Sequence, residues 1–175
     1  QLPDAPIYPE RSQQGMLEAD VKRMVLGLVL VALLALPGCD WLREKLNMPK
    51  TIADPEKETP EWVVQRVLEA ASKEPFDVAF NEYSQYLHSS EQNSPQGMKE
   101  WETLRFPALR RKHTCFLKGD EDDKFAYERM ERRENREDYI SIHVKCKTTD
   151  VPTPCHLFKD PEQGGKWRVK MNCLN

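Results

Sequence analysis

The sequence lacks the short motifs that mark the commonest enzyme chemistries. It holds no Gly-x-Ser-x-Gly turn for a nucleophilic serine, no phosphate-binding loop and no dinucleotide fingerprint. No two of its five cysteines are separated by the two to four residues typical of zinc sites. The four histidines, His88, His113, His143 and His156, form no short metal-binding pair, and we expect them to be exposed. We therefore expect no catalytic residue, no metal and no cofactor.

An excess of positive charge is also missing. The chain has 26 Lys+Arg residues against 29 Asp+Glu residues, which gives a net charge of −3. A protein that neutralises nucleic-acid phosphates needs a basic surface. The composition therefore argues against a nucleic-acid partner.

The chain has no apolar run long enough to cross a bilayer. The uncharged run at residues 24–36 is about 13 residues long, whereas a spanning helix needs about 20. Lys22 and Arg23 precede this run, and a basic flank followed by a short apolar segment is the layout of an export signal. Residues 1–15 fit no export pattern, so Met16 or Met24 is the more natural start.

The residues that close this run, Leu36-Pro37-Gly38-Cys39, resemble the lipobox of bacterial lipoproteins. The resemblance implies that Cys39 carries a diacylglycerol, that the chain is cut before Cys39, and that the new amino terminus is acylated, for example with palmitate. It implies a place in the bacterial cell envelope, facing the periplasm. Asp40 resembles the signal that retains enterobacterial lipoproteins in the inner membrane, which favours the inner over the outer membrane. The alternatives are a core helix ending at a Pro-Gly turn, or an ordinary secretory signal with an incidental cysteine.

The cysteine count agrees with an exported protein. Lipid on Cys39 leaves an even set, Cys115, Cys146, Cys155 and Cys173, which predicts two disulfides in an oxidising compartment. A zinc site is the rival interpretation. If the predicted hairpins are simple, Cys155 and Cys173 lie on neighbouring strands and Cys115 pairs with Cys146. A bulge in the strand register would change that pairing.

Composition divides the chain into three parts. Residues 1–38 are the leader and signal peptide, residues 39–58 a lipid-anchored tether, and residues 59–175 an α+β periplasmic domain. The tether is charged and interrupted by prolines, as solvated linkers are. The domain begins at Thr59-Pro60-Glu61, where an N-cap residue, a proline and an acid agree on a helix start.

Along the domain, the apolar residues are first spaced as in helices and then alternate with polar residues as in strands. Three helices are predicted by the apolar residues at 63–71, by Phe76, Phe80, Tyr83 and Leu87, and by Met98, Trp101 and Leu104, the last helix being interrupted at Phe106-Pro107. Strands are predicted at residues 114–118, 125–130, 140–146, 155–157 and 167–173. In the clearest strand, Ser141 and His143 alternate with apolar residues and are expected to face solvent.

Helices followed by antiparallel strands predict an α+β fold, with the N-terminal helices packed on one face of a twisted antiparallel sheet. This order, with a tryptophan in the third helix and a last strand containing Lys166-Trp167-Arg168-Val169-Lys170, resembles the cystatin-like and NTF2-like superfamily and implies its cone. The strand that the superfamily usually inserts between the second and third helices is not visible in the sequence.

Two functions follow from these resemblances. The first is a membrane-anchored lipoprotein that binds an envelope protein partner or assists envelope assembly, without catalysis. The alternative is a small-molecule-binding or isomerase-like protein that uses the concave face of the sheet. Enzymes of the superfamily place an aspartate base and a tyrosine or second acid in the cone, and Asp77, Tyr83 and Tyr86 are the residues offered here. Structural roles are favoured for Asp77 at a helix start and for Tyr83 in an apolar stripe.

Overall fold

The computed structural model describes residues 48–119, 124–130 and 136–175. In these ranges a first strand is followed by helices and then by further strands, which confirms the predicted α+β class. The helices are α1 (Pro60–Ser72), α2 (Phe76–Ser84), α3 (Ser89–Gln92), α4 (Pro95–Glu100) and α5 (Phe106–Phe116). The strands are β1 (Lys50–Ile52), β2 (Tyr127–Met130), β3 (Tyr139–Val144), β4 (Thr153–Asp160) and β5 (Lys166–Cys173).

The five strands form one antiparallel sheet in the order β1-β2-β3-β4-β5. The first strand corrects part of the predicted tether, residues 39–58, because Lys50–Ile52 belong to the sheet. Ile52 lies opposite Tyr127 and packs against the core, and the Gln65 side chain donates a hydrogen bond to the Ala53 carbonyl at 2.6 Å. A strand of three residues is too short to show alternation, so its composition alone resembled a linker.

Helix α1 carries the centre of the core. Thr59 caps it as predicted, since its hydroxyl accepts a hydrogen bond from the Trp62 N–H. The helix packs against α2, α5, β3 and β5. Its apolar stripe is fully buried; the members are Val63, Val64, Val67, Leu68, Ala70 and Ala71. Burying each of the larger side chains contributes about 1.5–3 kcal/mol, so this stripe holds the helices on the sheet.

The predicted break at Phe106-Pro107 is wrong, because the chain stays helical there. A π-helical turn, Trp101–Arg105, joins α4 to α5, and the Phe106 N–H donates to the Trp101 carbonyl five residues back. The wider turn accepts Pro107, which has no N–H to donate and needs room at the preceding turn.

This turn also changes which side chains face the core. Trp101 is 1% exposed and Met98 packs against the core, but Leu104 is 65% exposed and does not share their face. The extra residue of a π turn rotates the positions that follow it. Tyr83 of α2 packs against Trp101 and against Phe106 of α5, and the Tyr83 and Phe106 ring centroids are 4.6 Å apart.

The strand predicted at residues 114–118 is wrong, because α5 continues to Phe116. Phe106, Leu109 and Phe116 are buried at spacings of three and seven, which place them on one helical face. Of residues 114–118, Leu117 alone forms a β-bridge, and its partner is Tyr127. The strand predicted at residues 125–130 is present as β2.

Strand β3 is buried on both faces, which corrects the predicted solvent-facing side. Ser141 and His143 are 9% and 4% exposed. The strand lies between β2 and β4, and Ser141 and His143 lie opposite His156 and Pro154. Large neighbours on that face, including the stacked Tyr139 and His156 rings, shield the smaller side chains.

Candidate functional site

The predicted lipidation residue Cys39 and the predicted retention signal Asp40 lie outside the described residues, as does the apolar run at 24–36. Among the helices of residues 48–119, 124–130 and 136–175, none has the length and apolar character needed to cross a bilayer.

The other four cysteines form two pairs at disulfide distance, Cys115–Cys146 and Cys155–Cys173. The pairing is the one that simple hairpins favour. Cys115 lies in the last turn of α5 and Cys146 just beyond the end of β3, so the first pair joins the helices to the sheet. The second pair joins neighbouring strands, since Cys155 and Cys173 are register partners.

A bulge is present in β5, yet it does not disturb this pairing. Leu157 lies opposite Val169 and Cys155 lies opposite Cys173, so β5 has two more residues than β4 over this interval. Side chains alternate with a period of two, and an even insertion returns Cys173 to the face of Cys155. Met171 absorbs the bulge with a positive φ of 70°.

The two disulfides differ in their access to solvent. Cys155 and Cys173 are 0% and 1% exposed, whereas Cys115 is half-buried. Cys115 lines a cleft of about 270 Å³, here named the lysine cleft. Its lining residues are Cys115, Phe116, Leu117, Lys118, Glu128, Lys145 and Lys147.

Among the residues that the structure describes, the lining of the lysine cleft has three lysines and one carboxylate. Glu128 lies 3.7 Å from the Lys118 amine and 3.5 Å from the Lys145 amine, so it is shared between them. The Lys118 amine also donates to the Thr51 hydroxyl at 2.7 Å. Within the described ranges, Lys147 has no carboxylate partner. Phe116 and Leu117 supply the apolar part of the described lining.

A second cleft, of about 450 Å³, lies between β1 and the start of α1. Its wall includes Arg129, which forms an ion pair with Glu61 in the first turn of α1. The Tyr127 hydroxyl donates to the Glu61 carbonyl at 3.0 Å. These contacts tie β2 to α1 and give the wall a structural role.

Asp160 is a buried acid that the sequence analysis did not single out. Its carboxylate accepts hydrogen bonds from the Ser89 N–H at 2.6 Å, from the Ser89 hydroxyl at 2.7 Å and from the Glu162 N–H at 3.0 Å. Burial raises the pKa of the Asp160 carboxyl, but the Ser89 bonds, nearby His88 and the Glu162 bond outweigh it and hold the pKa below its usual value. The signal in the sequence was Asp160-Pro161, an N-cap residue followed by proline.

Ser89, His88 and Asp160 have the composition of a catalytic triad but not its bonding. The Ser89 hydroxyl donates directly to Asp160, with no imidazole between them. The His88 Nδ1 atom accepts from the Ser90 N–H at 3.1 Å, which leaves that nitrogen occupied by a helix cap. The cluster therefore joins the start of α3 to the β4–β5 turn.

The prediction that the histidines are exposed is wrong for two of them. His88 and His143 are buried, because His88 caps α3 and His143 lies on the doubly covered strand β3. His113 and His156 are partly buried and bond to the Arg110 carbonyl and the Tyr139 hydroxyl. Burial lowers the pKa of His156. No cluster of three metal-ligating side chains occurs among the residues that the structure describes.

The three residues offered for isomerase-like chemistry are not assembled into a site. Asp77 is exposed in the first turn of α2, while Tyr83 is buried in the aromatic cluster, where desolvation raises the pKa of its phenol. Tyr86 is half-buried edge-on against Trp62, with ring centroids 5.8 Å apart. None of the three lines either cleft described above.

No protein-family description, curated protein or solved structure matches this chain.

Proposed function

We propose that this chain is a lipoprotein of the bacterial cell envelope, held to a membrane by lipid on Cys39, and that its folded domain is a periplasmic binding or envelope-assembly module. The observation that carries the proposal is the pairing of Cys115 with Cys146 and of Cys155 with Cys173. Disulfides persist in exported proteins and are rare in the reducing cytosol. With those four cysteines paired, the fifth stands at the position where the lipobox resemblance requires a thiol.

The position of β1 limits the distance between the folded domain and the proposed anchor. Residues 40–49 separate Cys39 from β1, and ten residues span at most about 35 Å when fully extended. Each buried methylene of an acyl chain contributes about 0.8 kcal/mol, so two or three chains hold a protein firmly. Because the ten residues before β1 reach at most about 35 Å, the domain would stay close to the bilayer surface. The aspartate at position 40 favours the inner membrane.

Binding rather than catalysis is supported by how the polar groups are used. Ser89 and Asp160 satisfy each other, and the space between α1 and the sheet is occupied by core side chains. A small-molecule or isomerase-like role on the concave face would need an open cavity there. An envelope protein partner bound at the outer surface fits this packing better.

We also propose the NTF2-like or cystatin-like cone as the fold type. The support is the order of α1, α2 and the later strands, together with a short extended link between α2 and α3. In that link the Tyr86 carbonyl and the His88 N–H bond to Val169 of β5, and Leu87 forms a parallel bridge with the same residue. This link stands where the superfamily usually has its extra strand.

Metabolic labelling with palmitate, followed by membrane fractionation, tests the anchor. We expect the chain to incorporate label and to sediment with membranes, and Cys39→Ser to lose both properties. Asp40→Ser is the matched control in an enterobacterial host, where it should keep the label and move toward the outer membrane. A Cys39→Ser protein that remains labelled and membrane-bound would contradict the proposal.

A further inference from the structure

We propose that the Cys115–Cys146 disulfide is a thiol–disulfide exchange site for anionic thiols, small molecules that carry a carboxylate or sulfonate near the SH group. The Cys155–Cys173 disulfide of the same domain is a permanent crosslink. This inference goes beyond anchoring and partner binding, and it stands on the lysine cleft rather than on lipidation.

Access distinguishes the two disulfides. Exchange requires a thiolate to reach one of the two sulfur atoms. Cys115 lines the lysine cleft, whereas Cys146 is 5% exposed and the sulfurs of Cys155 and Cys173 belong to fully buried residues. Cys115 is therefore the residue attacked. The cleft volume of about 270 Å³ lies just below the range of about 300–1,000 Å³ typical of drug-sized ligands, so it suits a small thiol.

Charge selects among small thiols. The three lysines and one glutamate among the described residues of the cleft lining sum to a net charge of +2. A sphere of the cleft's volume is about 8 Å across, which is shorter than the screening length of about 10 Å at 0.1 M salt. An anionic thiol inside the cleft is therefore attracted by the lysines, and its thiolate is stabilised by the same charges.

The exchange step balances with the groups present. The incoming thiolate bonds to Sγ of Cys115, the Cys115–Cys146 bond breaks, and its electron pair remains on Sγ of Cys146. The Thr148 hydroxyl lies 3.0 Å from that sulfur and donates a hydrogen bond to the leaving thiolate. A second thiol then displaces Cys115 from the mixed disulfide. Two external thiols are oxidised to one disulfide, and their two electrons and two protons end on the cysteine pair.

Exchange would break the covalent link between the helices and the sheet. Cys115 ends α5, while Cys146 follows β3. The Lys147 N–H still donates to the Cys115 carbonyl at 2.9 Å, and the Lys118 N–H to the Ala126 carbonyl at 2.7 Å. These backbone bonds, with Phe116 in the core, keep the reduced form folded while the end of α5 gains freedom.

Differential alkylation and mass spectrometry can follow each disulfide separately in the full chain carrying Cys39→Ser. The probes are mercaptoethanesulfonate, mercaptoethanol and cysteamine, which are anionic, neutral and cationic. Each rate is normalised to the same thiol's rate with a small neutral disulfide. We expect Cys115–Cys146 to be reduced first by every probe. We expect its normalised rate to be about tenfold higher with the sulfonate than with the amine at low salt, and nearly equal in 1 M salt.

Paired variants locate the effect. Lys145→Gln with Lys147→Gln should abolish the preference for the sulfonate. The matched control is Lys159→Gln with Lys170→Gln, because these lysines lie over aromatic rings and do not line the cleft; it should keep the preference. Equal normalised rates for the three probes in the parent chain, or parallel reduction of both disulfides, would overturn the proposal.

Discussion

Removal of the Asp160 carboxylate is expected to destabilise the domain strongly. In Asp160→Ala, the Ser89 N–H and hydroxyl lose their acceptor while remaining buried. A hydrogen bond to a charged group contributes about 1.5–3 kcal/mol, so these two bonds alone predict a loss of at least about 3 kcal/mol. The Glu162 N–H lies in a part-buried turn and can find water, so it adds less.

The pH dependence of the free energy of unfolding follows from the lowered pKa of the Asp160 carboxyl. Because the folded value lies below the unfolded value of 3.8, the ionised group stabilises the fold at pH values above 3.8. This contribution is lost as the pH falls through the folded pKa. The difference in unfolding free energy between the parent chain and Asp160→Ala should therefore narrow in strong acid.

Urea denaturation followed by tryptophan fluorescence measures both effects. Ser89→Ala is a smaller change, and a double-mutant cycle with Asp160→Ala should give a coupling energy above about 1 kcal/mol, because the two residues are directly bonded. A loss below 1 kcal/mol in Asp160→Ala that is unchanged between neutral and acidic pH would refute the reasoning.

Three further variants test other parts of the fold by the same denaturation assay. Replacing Cys155 and Cys173 with alanine should lower the free energy of unfolding by about 3 kcal/mol, because the pair closes a loop with a sequence separation of 18; an unchanged midpoint would contradict the crosslink. Met171→Gly should raise that free energy by about 0.5–1 kcal/mol, since Met171 is 54% exposed at a positive φ; destabilisation would show that its side chain packs. Thr59→Ala should cost about 1 kcal/mol through loss of the cap on the Trp62 N–H, and no change would remove that cap from the account.

The sequence predicted those elements whose signals are local and repeated. The start of α1 is an example, because Thr59, Pro60 and Glu61 are neighbours that agree on one conformation. The Cys155–Cys173 pairing was predictable because the two strands are joined by a short turn. Its survival despite the bulge depended on the even number of inserted residues, which no pattern in β5 reveals.

The errors arise where distant packing decides the local structure. The three residues of β1 are a strand only because Tyr127 pairs with Ile52 across the whole helical region. From the sequence, Phe116 could belong to a short strand or to the last turn of a helix. It is helical because its side chain is buried on the same face of α5 as Leu109. The second covered face of β3 comes from neighbours on β2 and β4, so alternation within β3 alone could not predict the burial of His143.

The same limit applies to the candidate sites. The lysine cleft combines the end of α5 with β2 and the residues after β3, and no linear motif joins Lys118 to Lys147. Asp160 has a local turn signal, but its bonds to Ser89 span 71 residues. Contacts between residues so far apart in the sequence can be predicted only when the fold is known.

The mass of the mature amino terminus tests the proposed anchor most directly. Protein extracted from bacterial membranes is digested, and its first peptide is measured by mass spectrometry. The proposal predicts a peptide that begins at Cys39 and carries a diacylglycerol together with an amide-linked acyl chain. A peptide that continues through Gly38 into residue 39, with an unmodified thiol, would contradict it.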